Sequence, residues 1–291
     1  MIIITAATGR YGRLVVEALL RRGVAASDVV AAVRDPAKAA DLAALGVQVR
    51  EADYDRPETL VTAFAGADKL LLVPSATFGQ RFVQMERAIN AAVEAGVSVI
   101  AYAGFINGDT STLRLGDEHK QTEDLLRGTG VRHVLLRNGP YIEVYAGDLG
   151  NIEYALATGR LLGSAAFGQL SGASRSDLAE AAAAVLSGPV GNDVVYELGG
   201  AAFTMEDIAN AMQTLTGKPL LYVDMPVDQY SEALAAGGVP ALFADVIADT
   251  SFATQRGDRY TESTDLRRLL GRPSTPLIEV VESTLKRNGL L

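Results

Sequence analysis

Short apolar runs alternate with longer amphipathic segments over the first half of the chain. The longer segments repeat apolar residues at helical spacing, whereas the short runs are rich in Val, Ile and Leu. This alternation is typical of parallel βαβ units and predicts an α/β fold with a doubly wound parallel sheet. The predicted strands are Ile2–Thr5, Val29–Val33, Gln48–Glu51, Lys69–Val73, Ser98–Tyr102 and His133–Leu136. The predicted helices are Gly12–Arg22, Pro36–Ala44, Pro57–Ala65, Arg81–Ala95 and Glu118–Arg127.

The pattern is looser after residue 140 and predicts a smaller C-terminal α/β lobe. The predicted elements are glycine-rich turns at Gly159–Gly163 and Gly168–Gly172, helices at Leu178–Leu186 and Thr204–Thr216, and strands at Val194–Leu198 and Tyr222–Asp224. We therefore divide the chain into a first domain, residues 1–140, and a smaller substrate lobe, residues 141–291. Segments of this lobe are expected to interleave with the first sheet.

A glycine-bearing turn joins the first predicted strand to the first predicted helix. It reads Thr5-Ala6-Ala7-Thr8-Gly9-Arg10-Tyr11-Gly12, a G-x-x-G-x-x-G pattern in which Ala6 replaces the first glycine. A helix N-terminus offers unpaired N–H groups, and small residues let a pyrophosphate approach them. The turn therefore predicts the dinucleotide site of a Rossmann-like fold. The alternative is a tight βα turn that needs glycine only for its geometry; if Ala6 must adopt positive φ, it adds strain.

The end of the second strand indicates which dinucleotide is preferred. Arg34 follows Val33, where an acidic residue would bind the ribose hydroxyls of NAD. A guanidinium instead matches a 2′-phosphate in charge and shape, so we expect NADP(H) to be preferred over NAD(H), with Arg10 adding positive charge. The alternative is that Arg34 is a solvated loop residue. Asp35 is better explained as the N-cap of the helix that begins at Pro36.

Residues after the third and fourth strands are further candidates for cofactor contacts. Asp53 and Tyr54 are placed to flank the adenine, although a polar turn explains them nearly as well. Val73, Pro74 and Ser75 follow the fourth strand. Because the carboxyl ends of strands line the crevice of a doubly wound sheet, we expect these three residues beside the cofactor.

Charge and composition argue against several classes of protein. A formal net charge of −9 opposes non-specific binding to nucleic acid, which needs clustered Lys and Arg. The chain has no cysteine and only two histidines, His119 and His133, so no metal site is expected. No apolar segment approaches the roughly 20 residues that span a bilayer, and no basic leader precedes the first strand. We therefore expect a cytoplasmic protein that does not bind membranes.

The catalytic pair of ordinary short-chain dehydrogenases, a Tyr with a Lys four residues later, is missing. None of the ten tyrosines is followed by lysine at that spacing. In those enzymes the lysine lowers the phenol pKa, so that the tyrosine can move a proton. A hydride can still be transferred without this pair if the acceptor takes its proton from water.

Motifs spread over nearly the whole chain carry a resemblance to a known family. They are the glycine turn and the segments 33–38, 52–54, 69–72, 79–81, 100–102, 109–111, 117–119, 122–123, 135–139 and 195–198. With them, the chain resembles the NmrA-like atypical short-chain dehydrogenases/reductases, above all their bacterial quinone and triphenylmethane reductases. The resemblance implies NADP(H) in the crevice and a small-molecule acceptor between the lobes, and it is compatible with a homodimer.

The resemblance also implies the positions of site residues. Cofactor contacts fall on Gly9, Arg10, Tyr11, Gly12, Arg34, Asp53, Ser75, Asn138 and Gly139, and Ala103 is expected beside them. The chain departs from the family at Ala103-Gly104, where relatives carry hydroxyl residues, and at Pro140, where an aromatic is expected. These departures leave the acceptor open.

Candidates for catalysis and for the acceptor pocket cluster after the fifth and sixth strands. The catalytic candidates are His119, Asn138 and Tyr141, and the pocket candidates are Gly104, Phe105, Pro140, Tyr141, Tyr145 and Phe167. His119 is alternatively a helix-surface residue, and Tyr141 alternatively packs between the lobes. His133, at the start of a buried strand, is explained as a structural residue.

The sequence therefore predicts an NADPH-dependent reductase of a small organic acceptor such as a quinone. Two alternatives stay open. NmrA-like proteins include regulators that bind dinucleotide without turnover and act on a protein partner, and the missing Tyr–Lys pair is equally expected there. The altered pocket residues also suit a biosynthetic ketone, imine or alkene reductase.

Overall fold

A parallel sheet of seven strands, with helices on both faces, organises residues 1–148, 152–191 and 193–291, which a computed structural model describes. The strands are Ile2–Thr5 (β1), Val29–Val33 (β2), Gln48–Glu51 (β3), Lys69–Leu72 (β4), Val99–Phe105 (β5), Arg132–Asn138 (β6), Arg160–Gly163 (β7), Val194–Leu198 (β8) and Leu221–Asp224 (β9). The sheet order is β3-β2-β1-β4-β5-β6-β8, and every neighbouring pair is parallel. The predicted doubly wound α/β fold is confirmed.

Helices connect these strands. The α-helices are Arg10–Arg21 (α1), Ala40–Ala44 (α2), Pro57–Phe64 (α3), Arg81–Glu94 (α4), Asp117–Gly128 (α5), Ile152–Thr158 (α6), Arg175–Ser187 (α7), Met205–Thr216 (α8), Val227–Ala236 (α9), Ala241–Gln255 (α10), Asp265–Leu270 (α11) and Leu277–Arg287 (α12). Short 3-10 turns span Ala26–Asp28, Pro36–Ala39 and Arg114–Gly116, and a π-helical turn spans Val144–Asp148. Of the described helices, none combines the length and apolar character needed to cross a membrane.

The central strands are buried on both faces, which explains their continuous apolar runs. Helices α1, α7 and α11 cover one face, and α3, α4 and α5 cover the other. Although β8 and α7 come from the second half of the chain, β8 pairs with β6 and α7 packs against α1. A second sheet in the described residues pairs β7 with β9, and α6, α8 and α12 pack beside it.

Three predicted elements need correction. The predicted turn Gly159–Gly163 is wrong in part, because Arg160–Gly163 is strand β7 and only Gly159 adopts the left-handed turn conformation, with φ +72°. The segment Pro36–Ala44 is a 3-10 turn followed by the short α2, because the Asp35 carboxylate accepts the Ala37 N–H. Strand β5 continues to Phe105, because residues 103–105 pair with β6.

A buried ion network holds β6 to α5 and to the loop after β5. Arg137 donates to both carboxylate oxygens of Glu123, at 3.0 and 2.6 Å, and also to Asp109 and Glu197. The Arg137 and Glu123 side chains are only 4% and 1% exposed. Because a buried guanidinium needs all of its partners, this network fixes the ends of β5 and β6 relative to each other.

We expect Glu123→Gln to lower the free energy of unfolding by about 3 kcal/mol, because it leaves Arg137 buried with less compensating charge. The matched control is Asp124→Asn, next along the same helix, whose carboxylate is 60% exposed and pairs with Arg127. Asp124→Asn should lower the free energy of unfolding by less than about 1 kcal/mol. Urea denaturation measures both values, and equal losses would contradict a special role for the network.

Candidate functional site

The turn between β1 and α1 depends on one close approach. Ala6 adopts φ +48°, and the Gly9 N–H donates to its carbonyl oxygen at 2.8 Å. A Cβ atom built at Gly12 would lie 2.6 Å from that same oxygen. Gly12 is therefore required for α1 to start directly above the turn. The strain expected at Ala6 is present, because an L-residue with this φ costs roughly 1–2 kcal/mol.

The N-terminus of α1 is free to bind an anion. Its N-cap is Gly9, which offers no side chain, and its first turn contains no acidic residue. The amides of residues 10–12 precede the first helical hydrogen bond, from Arg13 N–H to Gly9 O. Arg10, the first residue of α1, and Arg34, on the loop that follows β2, are both exposed. The residues present thus fit a dinucleotide phosphate, since donors and space are available and opposing charge is lacking.

This turn lies at the point where the strand order reverses. Strand β1 pairs with β2 on one side and with β4 on the other. The strands β2 and β3 are therefore added to one edge of β1, and the strands β4, β5, β6 and β8 are added to the opposite edge. In doubly wound sheets the ligand crevice forms at this switch point, outside the carboxyl ends of the strands. The turn after β1 and residues 73–75 after β4 therefore border the same crevice.

Several predicted contact residues build the floor of the crevice. The Thr5 hydroxyl donates to Leu71 O at 3.0 Å and accepts the Val73 N–H at 2.8 Å. The Tyr54 hydroxyl donates to Val73 O at 2.8 Å. Thr5 and Ala7 are buried, whereas Thr8 is partly exposed at the turn. The polar groups of Thr5 and Tyr54 thus tie β1, β4 and the loop after β3 together.

Asp53 and Ser75 are also held by internal hydrogen bonds. The Asp53 carboxylate accepts the Asp55 N–H at 3.0 Å, which is the polar-turn arrangement considered for it. The Ser75 hydroxyl donates to Gln84, whose amide donates to Asp55. Pro74 and Ser75 are partly exposed at the end of β4. Whether these residues contact a cofactor stays a prediction.

A cluster of polar aromatic residues lies at the end of β6. The Tyr11 and Tyr141 rings stack with centroids 6.1 Å apart, and the Asn138 amide donates to the Tyr141 hydroxyl at 3.5 Å. The Arg175 guanidinium lies 4.8 Å from the Tyr141 ring centroid. Burial raises the pKa of Tyr141 to about 12, and it raises the pKa of Tyr11 further still. Both phenols are therefore neutral near pH 7.

Two buried polar atoms of this cluster have no partner within the described chain. They are the Tyr11 hydroxyl and Asn138 Oδ1, although the Asn138 side chain lies near enough to Tyr11 to lower the pKa of its phenol, against the larger effect of burial. A buried polar group without a hydrogen bond costs about 1–3 kcal/mol, so these atoms are candidates for contact with a polar ligand. Both belong to the elements that border the crevice, since Tyr11 lies in the first turn of α1 and Asn138 ends β6.

Gly139 and Pro140 form a close crossing below this cluster. A Cβ atom at Gly139 would lie 2.3 Å from Ser171 O and 2.9 Å from Leu198 O. Pro140 is buried, and its carbonyl accepts the Ala173 N–H. Gly139 therefore has a structural requirement that is independent of any ligand.

Three candidate residues lie at the end of β5. Gly104 faces the ion network, because a Cβ atom there would lie 3.2 Å from Glu123 Oε1, so it does not line the pocket. Ala103 is buried in the core on the side of α1 and α7. Phe105 is partly exposed, and its ring meets the His119 ring edge-on at 5.1 Å.

His119 is buried rather than on the helix surface. Its Nδ1 lies 2.7 Å from the Tyr102 hydroxyl. Desolvation lowers the pKa of His119 to about 3, and the charges of Arg81 and Arg259 add to this shift. Burial raises the pKa of Tyr102. The pair is therefore neutral near pH 7, with Nε2 of His119 as the ring nitrogen that Tyr102 does not occupy.

Sequence reasoning missed three residues near His119: Tyr102, Arg81 and Arg259. Alternation along β5 places Tyr102 on the face covered by α5, which is a signal that the sequence contains. Arg81 begins α4, is buried, and donates to Ser75 O at 3.1 Å. For Arg259 no local pattern exists, because only the tertiary fold brings it to the crevice.

The two remaining pocket candidates differ in position. The Tyr145 hydroxyl lies 3.5 Å from Arg259 Nη2 and the residue is partly buried. Phe167 is 86% exposed, so the prediction that it lines a pocket is wrong for this chain. Its loop turns outward after β7, where Ala166 adopts φ +45°.

Comparison with known proteins places this arrangement in context. The model of the NmrA-like family matches residues 1–269. Quinone oxidoreductase 2 of Escherichia coli (strain K12) is 41% identical over 290 residues, covering 99% of this chain and 100% of that protein.

Two solved structures are similar to the structure of this chain over almost its full length. The Escherichia coli NADPH-dependent quinone oxidoreductase complexed with NADPH has a TM-score of 0.93 at 42% identity and covers 97% of this chain and 99% of that chain. The Citrobacter sp. triphenylmethane reductase complexed with NADP(H) has a TM-score of 0.92 at 33% identity and covers 98% and 100%.

The neutral state of His119 predicts acid sensitivity. Its pKa is about 3 in the folded chain and 6.5 ordinarily, so the unfolded chain binds more protons between these values. Folding stability must then fall as the pH drops through that window. We expect His119→Gln to show a smaller decrease in melting temperature between about pH 7 and pH 5 than the unchanged chain. His133→Gln controls for loss of a histidine; parallel curves for His119→Gln and the unchanged chain would contradict the assignment.

Proposed function

Because this chain belongs to the NmrA-like family, we propose that it is an NADPH-dependent reductase that transfers a hydride to a quinone or a similar small acceptor. The chain is an NAD(P)H-dependent oxidoreductase, in keeping with relatives named quinone oxidoreductase and NAD(P)H azoreductase. Its cofactor is NADP(H), as in the complexes of its structural neighbours. The observation that carries the proposal is the uncapped N-terminus of α1 at the switch point of the sheet.

The cofactor side of the site is assigned to the turn and to two arginines. The amides of residues 10–12 would bind the pyrophosphate, because they belong to the first turn of α1, whose N-cap Gly9 offers no side chain and which contains no acidic residue. Arg34 would bind the 2′-phosphate, and Arg10 would add positive charge nearby. Tyr11 and Asn138 would complete the hydrogen bonds that their buried atoms lack. When bound, NADPH supplies the hydride.

The acceptor side is assigned to the surroundings of His119. Tyr102 stays protonated, and we assign its hydroxyl as the donor of a hydrogen bond to Nδ1; the neutral His119 ring then carries its hydrogen on Nε2. Nε2–H is then the donor that would orient an acceptor carbonyl, while Phe105 would support a flat ring. His119 is thus an orienting hydrogen-bond donor, since its low pKa makes it a poor proton reservoir at neutral pH.

The proton balance needs no Tyr–Lys pair. A quinone that gains a hydride becomes a hydroquinone monoanion, and one proton from water completes the hydroquinone. The protein therefore contributes binding, orientation and stabilisation of the oxygen on which negative charge develops. This accounts for activity in a chain where no tyrosine precedes a lysine by four residues.

The direct test measures NADPH oxidation by purified protein with quinones, triphenylmethane dyes and small carbonyl compounds, beside NADPH titration. We expect saturable oxidation with at least one quinone and much weaker activity with simple ketones. Tight NADPH binding without turnover on any acceptor would contradict the reductase and favour the non-catalytic sensor. Turnover confined to ketones, imines or alkenes would favour the biosynthetic alternative. Failure to bind any dinucleotide would reject the whole assignment.

Arg34→Ala tests the cofactor preference. We expect the NADPH dissociation constant to rise about tenfold or more, because a charged hydrogen-bonded phosphate contact is worth more than about 1.4 kcal/mol. NADH binding should change far less, because NADH lacks the 2′-phosphate. Arg21→Ala, exposed at the far end of α1, is the matched control. Fluorescence titration measures each constant, and equal losses for NADPH and NADH would overturn the role of Arg34.

A further inference from the structure

We propose that Arg259 makes the acceptor site selective for acceptors that carry negative charge, such as sulfonated quinones, and against cationic dyes. The inference rests on the proposed reductase function and names the charge class of its acceptor. It concerns a residue that lies far from the dinucleotide motifs in sequence and reaches the crevice through the C-terminal half of the chain.

The backbone around Arg259 is anchored beside the acceptor side of the crevice. Its carbonyl oxygen accepts the Ser171 N–H at 2.9 Å. The Asn107 amide donates to Tyr260 O at 2.7 Å and to Asp258 O at 3.3 Å. Asn107 comes two residues after Phe105, whose ring contacts His119. The segment is thus held between the end of β5 and the smaller lobe.

The Arg259 guanidinium has N–H groups that make no close hydrogen bond. Its Nε is buried without a hydrogen-bond partner, and its Nη2 makes only a long, 3.5 Å contact with the Tyr145 hydroxyl. Across residues 1–148, 152–191 and 193–291 it forms no ion pair with a carboxylate. The backbone of this arginine is held in place, whereas its guanidinium has N–H groups without strong partners. Such a planar guanidinium is suited to bind an oxyanion through two parallel hydrogen bonds.

The nearby acidic groups are engaged elsewhere. Glu118 accepts the N–H groups of Gly79 and Phe82 at 3.1 Å each and lies 3.8 Å from Arg81 Nη1. Asp258 accepts from Thr112 at 2.9 Å and pairs with Arg256 at 3.5 Å. Arg81 itself is buried, with Nη1 lacking a hydrogen bond.

The guanidinium groups of Arg81 and Arg259 both act on His119: desolvation is the main reason for its low pKa, and these two charges lower it further. Glu143, another buried acid, accepts the Arg175 N–H through Oε1 at 2.9 Å, whereas its Oε2 has no hydrogen-bond partner among the described residues.

This local charge opposes the charge of the whole chain. The net charge of −9 repels anions at long range, so an anionic acceptor needs a specific cationic group at the site. Hydride addition to a neutral quinone also places a negative charge on oxygen, which a guanidinium stabilises. A triphenylmethyl cation, in contrast, brings positive charge next to Arg259 and becomes neutral on reduction. Arg259 thus favours anionic acceptors and neutral quinones and disfavours cationic dyes.

The test compares Arg259→Gln and Arg259→Lys with the unchanged protein. The control is Arg256→Gln, three positions earlier, whose guanidinium already pairs with Asp249 and Asp258. Calorimetry measures binding of anthraquinone sulfonate and of its uncharged sulfonamide to the NADP⁺-saturated protein. Steady-state kinetics then give kcat/KM for a sulfonated quinone, a neutral quinone and a cationic triphenylmethane dye.

We expect Arg259→Gln to weaken sulfonate binding about tenfold relative to sulfonamide binding, and to raise relative activity on the cationic dye. Arg259→Lys should retain most of the preference because it keeps the charge, and Arg256→Gln should retain all of it. The NADPH dissociation constant should differ little between Arg259→Gln and the unchanged protein. Equal losses for sulfonate and sulfonamide, or equal effects of Arg256→Gln, would overturn the proposal. A loss confined to NADPH binding would assign Arg259 to the cofactor and would also overturn it.

The experiment distinguishes a failure of the reductase function from a failure of the proposed charge selectivity. If the protein binds the sulfonate through Arg259 but oxidises NADPH with no acceptor, the reductase function fails and the anion site stands. If quinones are reduced and Arg259→Gln leaves the charge preference intact, the selectivity proposal fails and the reductase stands. Thermal unfolding of both Arg259 variants identifies a folding defect, and Arg259→Lys then decides the question.

Discussion

The contact between the first helix and the turn beneath it is the constraint on which the rest of the site depends. Because Gly12 has no Cβ atom, α1 can begin directly above the Ala6 carbonyl. The strained backbone of Ala6 is tolerated because Thr5 is locked to β4 on one side and Gly9 bonds back to Ala6 on the other. A helix that started one turn later would lose both the anion site and its alignment with Tyr141.

From this turn the site extends across the sheet through buried polar groups. Tyr11 connects α1 to Tyr141 and Asn138 at the end of β6, and the Arg137 network holds β6 to the loop after β5. His119 and Tyr102 then form a neutral pair surrounded by guanidinium groups. In the proposed function, separate elements, joined by β5 and β6, would bind the dinucleotide and orient the acceptor.

Much of this arrangement follows from the sequence, and the rest depends on tertiary contacts. The central strands were predictable because both of their faces are buried, which makes them continuous apolar runs. The strand Arg160–Gly163 was not, because it is short and follows a turn glycine. His119 was identified as a candidate, but its burial depends on packing of α5 against β5. Arg259 and the outward position of Phe167 have no local signal, since each is decided by how the last third of the chain folds back.

We propose that the turn from Ala6 to Gly12 holds the cofactor and that the crevice between His119 and Tyr141 receives the acceptor. A crystal structure of the protein with NADP⁺ tests it most directly. We expect pyrophosphate oxygens within hydrogen-bond distance of the amides of residues 10–12, the 2′-phosphate at Arg34, and the nicotinamide beside Asn138 and Tyr141. A dinucleotide bound elsewhere, or a nicotinamide directed away from the end of β6, would contradict it.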